Sequence, residues 1–171
     1  MEKIPDITES MDMSRDPIKT PSISEEDKER FFKCLMVDEP YEETIALLNG
    51  SFKVRFKAMT VSENTDVVNQ VVADRRLGIA ADHDAYFITI SAYRMGISLL
   101  SVDGKPYSSI TKDNFTASSE DDSYVLARSK LMLSWPTAKL SVFLDAYQIF
   151  ESKLIKLASE VQNPSFWKAS A

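Results

Sequence analysis

The residues best suited to acid–base, metal or thiol chemistry in this 171-residue chain are one histidine, one cysteine and twenty-six carboxylates. His83 stands in Asp82-His83-Asp84, three consecutive residues that carry metal-compatible atoms. Neighbours at a helix start do not aim at one centre, so Asp82 reads as a helix cap and His83 as its solvated neighbour. Cys34 falls beside Phe31, Leu35 and Met36, where a small buried thiol is the ordinary outcome. With no second cysteine, an intrachain disulfide is excluded. The four glycines, Gly50, Gly78, Gly96 and Gly104, are isolated. Neither GxxxxGK[ST] nor GxGxxG occurs, so no phosphate cradle of that kind is written in the chain. GxSxG and HExxH are missing too. The carboxylates fall in expected caps, surface faces and loops. The expectation is a chain that is not an enzyme, with no metal, cofactor or small-molecule substrate; a carboxylate pair assembled by folding is the enzymatic alternative.

Two features suit recognition instead. Lys53, Arg55 and Lys57 alternate with Phe52, Val54 and Phe56, which places a basic stripe on one strand face and the apolar residues on the other. Binding of single-stranded nucleic acid would want aromatics interleaved with the bases on the same face, so an acidic protein partner is the functional reading and a solvated face the plain one. Phe166 and Trp167 follow a helix stop near the C-terminus and must fold back on the core or insert into another chain.

Charge narrows the partners. Twenty Lys and Arg against twenty-six Asp and Glu leave a formal charge of -6, which removes the counterion-release term for nucleic acid. The longest uncharged runs, Thr44 to Phe52 and Ala85 to Tyr93, are far short of the roughly 20 residues that cross a bilayer. An acidic, proline-containing start does not read as an export leader.

The elements that would position these residues follow from periodicity. Residues 1–21 hold Pro5, Pro17 and Pro21 with few large apolar side chains, and read as a flexible arm. Residues 22–162 read as one domain. Ser22-Ile23-Ser24-Glu25 has capping-box spacing ahead of a helix over 24–36. Asn49-Gly50 suits a tight type I′ turn in a β-hairpin over 41–59; alternatively, Pro40 opens a short helix through Leu47. Thr60-Val61-Ser62-Glu63 caps a helix over 61–77 closed by Gly78. Asp82 caps another that carries Tyr86, Phe87, Ile90, Tyr93, Ile97 and Leu100, followed by a small turn at 102–107. A solvated loop spans 108–122. A helix over 122–134 has its apolar face interrupted by Arg128 and Ser129, and a long helix over 137–162 ends at Asn163-Pro164. Residues 163–171 form a tail. The fold class is α+β, mainly helical, with about five helices around one core.

The stretch from Asp27 to Gly50, then Ser51 to Thr60 and Val61-Ser62-Glu63, resembles small tail-assembly proteins of tailed bacteriophages, including tail assembly chaperones and baseplate-hub assembly chaperones. Met59-Thr60-Val61-Ser62-Glu63 stands where those proteins start a helix after a short β segment. Tyr93 to Leu100 leading into Val102-Asp103-Gly104-Lys105 looks like their helix-to-turn passage. The resemblance covers residues 24–107. It implies a non-enzymatic structural or assembly protein that binds phage tail, hub or tape-measure proteins, or further copies of itself, in the infected cell's cytoplasm or in the virion tail. On that reading residues 1–21 with Phe166 and Trp167 engage other tail proteins while 24–162 form the rigid body. An unrelated adaptor or regulatory module is the competing expectation.

Overall fold

The computed structural model describes residues 21–78, 83–120, 122–163 and Ser165. The expectations for residues 1–20, the Asp82 cap, Phe166 and Trp167 lie outside the described residues, as do the side chains of His83, Asp84 and Ala85.

Five helices and a four-stranded antiparallel sheet make an α+β, mainly helical fold. Helix α1 (Glu25–Val37) is capped by Ser24, whose hydroxyl accepts from the Asp27 N–H at 3.1 Å while the Asp27 carboxylate accepts from the Ser24 N–H at 3.0 Å. The capping box therefore begins at Ser24 and not at Ser22, because Asp27 at the third helical position can reach back as Glu25 cannot.

Strands β1 (Glu42–Leu47) and β2 (Phe52–Lys57) form the expected hairpin, pairing Leu47 with Phe52 and Ile45 with Val54. The short-helix alternative for 40–47 is excluded. The connection is a four-residue loop in place of a two-residue turn: Leu48, Asn49 and Gly50 all have positive φ, and Gly50 N–H donates to the Leu47 carbonyl at 3.0 Å. Asn and Gly tolerate that backbone; Leu48 adopts it at a cost and leaves its side chain exposed.

Helix α2 (Val61–Arg76) starts at the Thr60–Glu63 capping box, as its spacing requires. Helix α3 (His83–Ser98) stops short of Leu100. Its last turn passes directly into β3 (Leu99–Val102), which pairs with β2 through Phe56–Leu99 and Val54–Val102 across a register shift. Strand β4 (Lys105–Pro106) adds a short edge through the Asp103-Gly104 turn. The small expected turn is thus the outer half of a continuous sheet of order β1-β2-β3-β4. β2 alternates too strongly to remain an edge, and its free backbone groups recruit β3.

Helix α4 (Tyr124–Leu133), capped by Ser123, packs on α3, and α5 (Thr137–Val161) crosses the inner sheet face. Val54, Phe56 and Leu99 meet Phe143, Tyr147 and Phe150 there, with the Phe56 and Phe150 ring centroids 5.6 Å apart. A second cluster, Val67, Val71, Tyr93, Ile97 and Val125, joins α2, α3 and α4. Helix α3 contributes Met95 to the first cluster and Ile97 to the second, which makes it the wall between them. Among the described residues no helix is long and apolar enough to cross a membrane.

Candidate functional site

The β2 alternation fixes the outer sheet face. Val54 and Phe56 are fully buried, so Lys53, Arg55 and Lys57 project from the opposite side. Two of these three charges are taken by the chain itself. Arg55 pairs with Glu42 of β1, and Lys57 pairs with the Glu63 carboxylate of the α2 capping box at 2.5 Å. Lys53 stays exposed, held by its backbone to Asp103, whose carboxylate accepts its N–H at 2.8 Å. Cys34 is half-buried against the sheet-side core. Among the described residues no group of three or more His, Cys, Asp or Glu side chains is gathered as a metal would need.

Two polar constellations were invisible to motif reading. The first ties α5 to α1 and β1: Lys153, buried, lies 2.8 Å from Asp27 and 2.6 Å from Glu43. Glu43 also accepts from the Tyr41 hydroxyl, which in turn accepts from Arg30 at 2.6 Å. Burial alone would raise the Asp27 carboxyl, but the Lys153 ammonium and the Ser24 N–H and hydroxyl outweigh it and hold it at about 2. A signal existed. Lys153 sits three residues after Phe150 and four before Leu157, on the buried stripe of α5.

The second constellation floors a cleft of about 820 Å³ between α2, the 108–122 loop and the start of α4. Asp74, only 4% exposed, accepts from the Gln70 amide at 2.8 Å and from the Tyr93 hydroxyl at 2.7 Å. Ser123 Oγ donates to Gln70 Oε1 at 2.5 Å, while the acceptor-only Asp74 carboxylate keeps the amide NH2 turned toward it. Burial and then the neighbouring Asp74 carboxylate push the Tyr93 hydroxyl well above its ordinary range, so it remains a donor. At the rim, Lys112 reaches from the loop to Asp66 and Ser62 of α2, each at 2.6 Å. Val67, Gln70, Val71 and Asp74 share one buried stripe of α2, and the two polar interruptions of that stripe were the readable sign.

A third surface is apolar. Phe31, Cys34, Leu35, Ala58, Met59 and Val61 line a shallow depression of about 420 Å³ where the end of α1 faces the start of α2. Leu35 is 50% and Val61 85% exposed; Met36 and Val37, also exposed, follow Leu35 in α1 without lining the depression. Comparison with protein-family models, curated proteins and solved structures finds no match for this chain.

Proposed function

We propose that this chain is a non-enzymatic assembly protein that works by binding other proteins, in the tail or baseplate of a tailed bacteriophage. The observation that carries the binding role is the exposure of Leu35 and Val61 at an apolar depression between the end of α1 and the start of α2. Exposed aliphatic side chains at such a depression are stabilised by being covered. The phage setting rests on the sequence resemblance over residues 24–107, with tail, hub or tape-measure proteins as the partners.

The roots of the two chain ends support the role proposed for residues 1–21 with Phe166 and Trp167. Lys156 of α5 donates to the Pro21 carbonyl at 3.5 Å, and Lys28 of α1 pairs with Glu160 at 3.5 Å. The chain therefore enters the described body beside the end of the helix from which it leaves, so both terminal segments start from one end of the molecule and can address one neighbour.

Crosslinking mass spectrometry on infected cells tests this reading. Crosslinks to hub, baseplate or tape-measure proteins are expected, weakened by deletion of residues 1–20 or by Phe166→Ala with Trp167→Ala. Presence of the chain in purified virions assigns a structural part and absence a chaperone. Crosslinks confined to proteins unrelated to the tail would replace the phage reading with that of a general adaptor.

A further inference from the structure

We propose that the cleft floored by Asp74 is a binding site for a guanidinium or ammonium group carried on an apolar stem. The site goes beyond the assembly role and does not depend on which partner covers the aliphatic depression.

The floor sets the sign of the ligand. Asp74 is buried, and its hydrogen-bond partners are neutral, the Gln70 amide and the Tyr93 hydroxyl. No described Lys or Arg pairs with it. An ionised carboxylate accepts about four hydrogen bonds, and the described residues supply two, which leaves capacity for an entering donor. Burying a carboxylate beside neutral donors alone leaves a desolvation cost that an incoming cation offsets. The amide cannot reverse to meet an anion, because its oxygen would then face the Asp74 carboxylate.

The rim agrees with the floor. Asp66, Asp74, Glu120 and Asp122 line the cleft against one cation, Lys112, which is already committed to Asp66 and Ser62. The field in the opening is therefore negative; it steers cations inward and rejects carboxylates and phosphates. The walls set the stem. Ala73, Leu77, Phe115, Tyr124 and Leu126 offer methylene-compatible surface and aromatic faces, which is what a Lys or Arg stem buries while its head reaches a carboxylate. At about 820 Å³ the cleft falls within the roughly 300–1,000 Å³ of ordinary ligand sites.

The same head group arrives either on a free amine or on a protein side chain, and the two are told apart by titrating the full-length chain, followed by amide NMR, with agmatine and with acetyl-Leu-Arg-Leu-amide. Saturable shifts at Gln70, Asp74, Tyr93 and Ser123 are expected with both. Peptide binding at least about tenfold tighter than agmatine assigns a protein side chain, and equal binding assigns a small amine. Asp74→Asn, which keeps the size and removes the charge, should weaken binding by about tenfold or more. Glu120→Lys is an exposed change that leaves the fold intact and should weaken binding by a smaller factor, about threefold. Three results would each overturn the proposal: no saturable shift up to about 10 mM, equal binding of the neutral citrulline peptide, or Glu120→Lys and Asp74→Asn both binding undiminished.

Discussion

Arg128 Nη2 donates to the Leu99 carbonyl at 2.7 Å, at the residue where α3 becomes β3. The same guanidinium reaches the Gly96 carbonyl through Nε and the Ile110 carbonyl through Nη1, each at 3.0 Å. A residue only 6% exposed thus satisfies one carbonyl from the last turn of α3 with two from the chain beyond it, and its positive charge faces the negative end of the α3 dipole. This lets α3 pass into a strand with no loop between them.

Arg128→Met should therefore destabilise the fold by about 3 kcal/mol, since it leaves buried carbonyls unpaired. Arg128→Lys should recover only part of this, because one ammonium cannot copy the planar fork. Urea denaturation of both variants measures the difference; stability within about 0.5 kcal/mol of the parent would remove Arg128 from this role.

Close approach of α3 and α4 makes a second prediction. A Cβ at Gly96 would lie 2.6 Å from Ser129 Oγ. Gly96→Ala should cost about 1–3 kcal/mol from overpacking. Ser129 Oγ is buried without a hydrogen-bond partner, so Ser129→Ala alone should be nearly neutral and should rescue much of the loss in the double variant. A double-mutant cycle in thermal unfolding gives the coupling, and purely additive effects would contradict the contact.

The Asp27–Lys153 pair predicts an acid limb of stability. Asp27 titrates at about 2 in the fold against 3.8 ordinarily, so its contribution is fully present above about pH 4 and is lost as pH falls toward 2. Allowing for solvent screening, about 1–2 kcal/mol is at stake. Lys153→Met should cost about 3–5 kcal/mol at neutral pH by leaving Asp27 and Glu43 without their cation, and should flatten this limb. Urea midpoints from pH 2 to 6 test both; an unchanged slope in the variant would show that Lys153 does not hold the Asp27 carboxylate.

Leu35→Lys with Val61→Glu tests the aliphatic depression. Both positions are exposed, and each new charge suits its helix end, so stability should shift by less than about 0.5 kcal/mol. Crosslinking to the proposed tail partners should nonetheless fall several-fold. Undiminished crosslinking would move the binding surface elsewhere.

Local rules made most elements legible. The Thr60–Glu63 box, the Val54/Phe56 alternation and the long stripe from Leu140 to Leu157 each state their structure within a few turns of chain, because capping and periodicity are short-range effects. The same local reading extended α3 through Leu100, since Leu99 and Leu100 continue its apolar spacing. What overrides that spacing lies far along the chain: the open edge of β2 and the Arg128 guanidinium.

Of the candidate sites, the basic stripe of Lys53, Arg55 and Lys57 was readable as a face, but Glu42 and Glu63 take two of its charges only once the hairpin and α2 are placed. Asp27, Glu43 and Lys153 lie far apart in the sequence; the 2.8 and 2.6 Å contacts of Lys153 with the two carboxylates exist only after α5 crosses α1 and β1. Asp74 meets Tyr93 across nineteen positions for the same reason. Sequence by itself indicated most of the helices and the β2 strand, because capping and periodicity answer to near neighbours. Which charges lose their water and which partners they then face was decided by tertiary packing, since desolvation depends on what arrives from elsewhere in the chain.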